Sequence, residues 1–372
     1  MDRRSWLKST SLGGSFALLG GLGVANALTP EEVIKFNPRP IGKPARLSSN
    51  ENPYGPSKRV RDAVTATFND GCRYPYPHLF ELADIIAEKE GVTKDHIVIT
   101  GGSTEGLRVT GLTFANGGGE IIAGQPTFLA MMTYAKEWGA SINWVPVNKK
   151  KEYDIDEIEK RISAKTKLVF LCNPNNPTST IIEKNKLKDF CNTVSNKTIL
   201  FSDEAYYDFI DEPDYPSMVE LVKEDKNVIV SRTFSKVYGL AGFRIGYLIA
   251  RPELAKKLKK NIMANTNILA IAAAKEALLD KEFYQFSLKK NREAKEMIYK
   301  TLDHLELPYV KSHTNFVFFN SGKDIRKLHK QILDQGVAVG RPFPPFFNWC
   351  RISTGLVEDV TKFNQALVNI YS

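Results

Sequence analysis

The chain has 372 residues, 42% of them hydrophobic and 25% charged, and its 51 basic and 42 acidic side chains give a formal charge of +9. This is the composition of a folded globular protein with room for one large domain and a smaller one, not of a disordered or disulfide-framework chain. The basic residues are dispersed, densest at Lys149-Lys150-Lys151 and Lys256-Lys257-Leu258-Lys259-Lys260, so the charge gives no indication of a nucleic-acid partner.

Residues 1–27 read as an address. Arg3-Arg4 precede a small, apolar, glycine-rich stretch at 11–24, and Ala25-Asn26-Ala27 supplies a cleavage site. The pattern resembles a twin-arginine signal and predicts a periplasmic mature protein beginning near Leu28, with cytoplasmic residence as the alternative. The apolar stretch is shorter than a spanning helix, so no stable membrane anchor is expected. Residues 28–56 contain six prolines and read as an extended N-terminal arm. Leu79, Leu82, Ala83 and Ile86 then share one helical face, with Gly91 placed to cap the end.

Short apolar runs at 96–100, 120–123, 142–147, 168–172, 198–203, 228–232 and 245–249 read as seven buried strands. Helical patterns separate most of them, which predicts an α/β fold on a mainly parallel sheet, assigned to residues 57–255. Pro252 opens a helix carrying Leu254, Leu258 and Ile262. Residues 256–372 read as a smaller α+β domain with a strand at Phe316–Phe319, a helix carrying Ile325, Leu328, Ile332 and Leu333, and a final helix carrying Val360, Phe363, Leu367 and Ile370. The four cysteines fit no metal-binding spacing, no metal is expected, and Cys172 reads as a small buried residue at a strand end.

In sheets of this kind ligands bind beyond the carboxyl ends of the strands, and four such positions carry chemistry. Gly101-Gly102-Ser103-Thr104 leads from a strand into a helix, either as a tight turn or as a cup of free amides for phosphate. Asn173-Pro174-Asn175-Asn176-Pro177-Thr178 is a rigid polar loop able to present a donor. Asp203 suits either a helix N-cap or an acidic partner for a pyridine nitrogen. Thr233-Phe234-Ser235-Lys236 is followed eight residues after the lysine by Arg244. A desolvated lysine is nucleophilic, and hydroxyls with an arginine suit a phosphate. Together these positions supply a Schiff-base lysine, a ring-nitrogen acid, ring-oxygen donors and a phosphate cup, the parts of a pyridoxal 5'-phosphate site.

These stretches, with Asn50-Glu51-Asn52-Pro53-Tyr54-Gly55-Pro56, Asp203-Glu204-Ala205-Tyr206 and Cys350-Arg351-Ile352-Ser353, resemble the class I and II aminotransferases from about residue 46 onward, and among them the histidinol-phosphate aminotransferases. The resemblance implies a fold-type I pyridoxal phosphate transferase. It makes Lys236 the cofactor lysine and proton shuttle, Asp203 the pyridinium partner, and Asn176 and Tyr206 the donors to the ring hydroxyl. Phe128 takes the place of the aromatic residue over the ring. Gly102, Ser103, Thr104, Thr233, Ser235 and Arg244 form the phosphate cup. Tyr74 would reach the phosphate of a neighbouring subunit, implying a homodimer with shared sites. Arg351 matches the carboxylate clamp, with Asn50 and Arg341 as further substrate residues. The implied reaction moves an amino group between an amino acid, or an amine like histidinol phosphate, and a 2-oxo acid.

Two positions depart from the family. Ser179 stands where glycine is usual after Asn-Pro-Thr. In Val337-Ala338-Val339-Gly340-Arg341, glycine fills the slot where the histidinol-phosphate enzymes carry an arginine, and Arg341 follows one residue later, which admits an aromatic or other unphosphorylated donor. An export signal also sits awkwardly with histidine biosynthesis in the cytoplasm. A lyase or decarboxylase on the same fold, and a cofactor-binding sensor without turnover, are the alternative functions.

Overall fold

The computed structural model describes residues 44–372; residues 1–27, expected to be an export signal, and the first part of the expected N-terminal arm lie outside the described residues. The strands in chain order are β1 (Ala45–Arg46), β2 (Ile97–Thr100), β3 (Glu120–Gln125), β4 (Ser141–Pro146), β5 (Thr166–Cys172), β6 (Ile199–Asp203), β7 (Val228–Thr233), β8 (Gly246–Ala250), β9 (Tyr309–Val310), β10 (Phe316–Asn320), β11 (Val337–Ala338) and β12 (Trp349–Ser353). The seven strands expected from the apolar runs form one sheet, β2 to β8, in the order β2-β8-β7-β6-β5-β3-β4. β8 runs antiparallel to both its neighbours, and the pairs from β7 across to β4 are parallel.

Successive residues of β5 show why these runs are apolar on both faces. Val169 and Leu171 enter one core, and Leu168, Phe170 and Cys172 enter the other. Each face is covered, so alternation with polar residues has no place here. Phe170 and Phe201 stack across neighbouring strands with centroids 5.8 Å apart, and burying such a ring contributes about 1.5–3 kcal/mol. The helix Tyr76–Glu90 ends as its sequence indicates, on Gly91 at φ 69°. The helix opened by Pro252 stops at Lys259 rather than running through Ile262, which still packs against the core beyond its end. The helix Ile268–Leu279 buries Ala270, Ile271, Ala273 and Ala274 in the sheet's core.

A third core gathers Ala45 and Leu47 with the helices Lys281–His304, Ile325–Asp334 and Val357–Tyr371. Its sheet is antiparallel, β12-β10-β9, and β1 pairs in parallel with β11. The period of two in β12 divides its roles. Cys350 and Ile352 face this core. Arg351 and Ser353 lie on the other face, opposite Phe318 and Phe316 of β10, toward the large sheet. Among the described residues no helix is long and apolar enough to cross a membrane, no group of side chains is placed to hold a metal, and all four cysteines are free.

Candidate active site

Five parallel strands of the large sheet end on one side, and the chain leaves each of them into the same cavity or its wall. β6 ends at Asp203, β7 leads to Ser235 and Lys236, β2 to Ser103 and Thr104, β5 to Asn176 and β3 to Phe128. These residues, with Tyr206, Arg244, Arg351 and Asn50, line a cavity of about 410 Å³.

Asp203 is buried, and its carboxylate accepts only a long bond from the Ala205 amide, 3.3 Å. No α-helix follows it, so it caps none; the next element is a 3-10 turn at Tyr207–Phe209. Burial raises its pKa to about 7, with the Lys236 charge pulling back and Glu204 pushing further. Burial and the nearby Arg351 charge lower the Lys236 amine to about 8. That amine donates to the Asn50 carbonyl at 2.8 Å and lies over the Tyr206 ring. A buried amine lowered toward neutrality suits proton transfer.

The Tyr206 hydroxyl accepts from Asn50 Nδ2 at 2.8 Å and from Asn176 Nδ2 at 3.3 Å, and burial raises its pKa. Asn176 Oδ1 in turn accepts from the Arg351 guanidinium at 2.8 Å, whose other terminal nitrogen donates to the Ser48 carbonyl at 2.8 Å. Arg351 Nε is buried with no partner. Burial lowers this guanidinium to about 10, so it gains from an anionic ligand.

The phosphate cup is assembled around a glycine. Gly102 has φ 83°, and a Cβ there would lie 2.5 Å from the terminal Nη2 of Arg244. Only glycine lets the guanidinium lie against the N-terminus of the helix Ser103–Ala115, whose free amides favour anions. Arg244 itself sits at φ 56°, a left-handed conformation that arginine rarely adopts, and is anchored to the Ala241 carbonyl at 2.9 Å. Thr233 does not line the cavity; its hydroxyl donates to the Ser235 hydroxyl at 3.0 Å and supports it from behind. A cup lined by a cation, hydroxyls and free amides, a buried acid, a softened lysine amine and a ring-sized cavity fit pyridoxal phosphate.

A second cavity of about 400 Å³ adjoins the first and shares Phe128, Asn176 and Arg351 with it. Arg341, His329 and Phe343 also line it. The one-residue shift therefore does not remove Arg341 from the site. It also has a cause: a Cβ on Gly340 would lie 2.7 Å from the Arg351 carbonyl, so this slot holds no side chain. Phe343 lies between the two guanidiniums, 4.5 Å from Arg341 and 4.8 Å from Arg351. Ser179 sits fully buried at φ 60°, its hydroxyl bonded to the Thr178 carbonyl, which explains why glycine suits that slot. Tyr74 is 79% exposed and lines neither cavity.

Three sets of supporting contacts have no local signature. Ser353 donates to Asn50 Oδ1 at 2.7 Å and aims its amide at Tyr206. Tyr153 and Thr127 both donate to Asn175 Oδ1, which makes Asn175 the structural anchor of the loop that presents Asn176. Buried Glu204 pairs with buried Arg232 at 2.8 Å directly behind Asp203. The Asn173–Asn176 loop signals polar work in sequence, but not which asparagine faces the ligand.

The sequence profile of aminotransferase class I and II matches residues 43–367. The chain belongs to this family. It is 37% identical over 333 residues to a histidinol-phosphate aminotransferase of Caldicellulosiruptor saccharolyticus, covering 89% of this chain and 92% of that protein. It is 34% identical to one from Bacillus cytotoxicus, covering 93% of this chain and 94% of the relative. The solved structure of a Sinorhizobium meliloti histidinol-phosphate aminotransferase in complex with pyridoxal-5'-phosphate superposes with a TM-score of 0.81 at 26% identity, covering 92% of this chain and 94% of that one. The fold is that of the fold-type I transferases, the reaction is amino-group transfer, and the cofactor is pyridoxal phosphate.

Proposed function

We propose that this aminotransferase takes a donor amine carrying an anionic group, gripped by Arg351, and passes the amino group to a 2-oxo acid. The observation that carries this reading is the buried Arg351 with an unpartnered Nε, set beside Arg341 and His329 in a cavity without a lining carboxylate. A planar guanidinium grips carboxylate or phosphate with two parallel bonds. Phe128 and Phe343 give the body of the donor an apolar wall.

Ser103, Thr104, Ser235 and Arg244 would hold the phosphate, Asp203 the charged ring nitrogen, and Asn176 and Tyr206 the ring oxygen. Bound pyridoxal phosphate supplies an electron sink for the carbon that loses its proton. Lys236 takes that proton at Nζ and returns it, as base and then acid. Asp203, ionised beside a positive partner, keeps the sink charged. Arg351 orients the donor, and Phe128 and Phe343 exclude water.

A donor screen on purified holoenzyme tests the reading. Histidinol phosphate, the donor named for the Caldicellulosiruptor and Bacillus relatives, should compete there with L-phenylalanine, L-tyrosine and L-glutamate. Bleaching of the cofactor colour by one or more of these anionic amines, with a ketone product from histidinol phosphate or a 2-oxo acid from an amino acid, is expected. Arg351→Lys should raise KM at least about tenfold. Preference for an uncharged amine, or release of carbon dioxide in place of amino transfer, overturns it.

The active unit we propose is a homodimer. Phe68, Tyr74, Tyr76 and Phe80 expose 62%, 79%, 51% and 62% of their surface within one short segment, an apolar patch of the kind that marks an interface. Tyr74, remote from its own chain's cavities, would serve the partner's phosphate cup. Phe68→Glu/Phe80→Glu should give a monomer with weakened cofactor affinity by sedimentation and titration. A fully active wild-type monomer would refute this arrangement.

A further inference from the structure

The basic run Lys149-Lys150-Lys151 takes no part in the machinery described so far. Its turn is shaped by Asn148, whose Oδ1 accepts from the amides of Lys150 and Glu152 at 2.8 and 3.1 Å. Lys151 sits at φ 69°, in the left-handed region, where a lysine stays only when its surroundings hold it. That turn carries its side chain from the large sheet to the small one. Its ammonium lies 5.0 Å from the centroid of Phe346 and 4.8 Å from that of Trp349.

Both ends of Lys151 lead back to the donor clamp. Its carbonyl accepts from the Thr180 hydroxyl at 3.0 Å, and that hydroxyl pairs with Thr178 at 2.8 Å, which accepts from Asn175 at 2.9 Å. The backbone of Lys151 is thus tied to the loop that presents Asn176. Its ammonium rests on Trp349, which opens β12 two residues before Arg351 and on the same face. Trp349 itself stacks on Phe318 at 4.9 Å, and Phe318 packs edge-on against Phe343, the ring between the two arginines. The direct contact of Arg351 with Asn176 therefore has a second, parallel link between the same two segments.

We propose that Lys151 is a positioning residue: its ammonium latches the aromatic segment 343–349 to the large sheet and so keeps Arg351 aimed at the donor. The inference rests on the reading of Arg351 as the donor clamp. Two cation–ring contacts shift such an equilibrium by roughly fivefold to thirtyfold. Losing them weakens the donor's grip and leaves the proton transfer at Lys236 untouched.

The test uses the holoenzyme and L-glutamate as the donor probe, following KM, kcat and pyridoxal phosphate affinity. Lys151→Met, which keeps the length and loses the charge, should raise KM roughly fivefold to thirtyfold, with kcat within about twofold and cofactor affinity unchanged, the pattern of lost binding rather than lost chemistry. Lys151→Arg should restore the wild-type KM. In an Arg351→Lys background, Lys151→Met should add no more than about a twofold further increase, because the two act through one contact. An unchanged KM in Lys151→Met, an equal defect in Lys151→Arg, or a parallel loss of cofactor affinity overturns the latch. If Arg351→Lys raises KM and Lys151→Met does not, only the latch fails. If Arg351→Lys leaves KM unchanged, the clamp fails and the latch with it.

Discussion

Lys236→Ala should give a protein that folds, still takes up pyridoxal phosphate in the Arg244 cup, and has kcat at least about a hundredfold lower. The ε-amine is the group of the cavity wall best suited to move the proton: Asp203 would be committed to the ring nitrogen, Glu51 is paired with Arg46, and burial holds the Tyr206 hydroxyl protonated. Removing the lysine leaves the fold intact, because the amine's hydrogen-bond partner is a single carbonyl, that of Asn50, and a buried cation is costly to keep. Borohydride treatment followed by peptide mass analysis should find the cofactor attached at Lys236 in the wild type and nowhere in the variant. The rate of cofactor capture should also report the amine's pKa. Burial lowers it to about 8, so capture by the wild-type apoprotein should rise about tenfold per pH unit below that value and level off above it. Residual activity above about one per cent in Lys236→Ala would remove the lysine from the chemistry.

The seven strands were legible because a strand covered on both faces must be apolar at every position, as β5 is from Leu168 to Cys172. The site was legible in outline for a related reason: a parallel sheet brings its carboxyl ends to one edge, so polar residues after apolar runs meet in space. The order of the strands and the reversal of β8 were not legible, since they depend on pairings between segments far apart in sequence. The same holds for the contacts that aim the side chains. Ser353 meets Asn50 and Arg351 meets Ser48 across some three hundred residues, and neither pair leaves a local pattern.

Gly340 shows the limit from the other side. In sequence it marks a missing arginine; in the structure it marks the close approach of the Val339–Arg341 backbone to Arg351, and Arg341 reaches the neighbouring cavity from the next position. Lys151 is similar. As part of a triple-lysine run it carries no sign of purpose, because its partners, Phe346 and Trp349, are supplied by a strand and loop of the other sheet. Pattern reading finds residues that act where their own element puts them. It does not find those whose role is set by what another element brings to them.

Asp203→Asn should move activity and stability in opposite directions. In the proposed site the carboxylate would balance the positive ring nitrogen, and removing one preorganised electrostatic partner costs roughly a hundredfold to a thousandfold in kcat. Without cofactor the same carboxylate has no such partner. Burial raises its pKa from 3.8 to about 7, so the fold retains a proton that the unfolded chain releases above about pH 4. The unfolded chain then binds fewer protons, and the apoprotein loses stability as pH rises from about 4 to about 7, by up to about 4 kcal/mol. Asparagine is neutral throughout and avoids that cost. At pH 8 the Asp203→Asn apoprotein should therefore melt a few degrees above the wild-type apoprotein, roughly in line with that difference. Near pH 4 the two should coincide, and saturating pyridoxal phosphate should close or reverse the gap at pH 8. Thermal unfolding at both pH values, with and without cofactor, measures all three. A variant that is less stable than wild type as apoprotein at pH 8 would make Asp203 a structural residue, and one with unchanged kcat would separate it from the ring nitrogen.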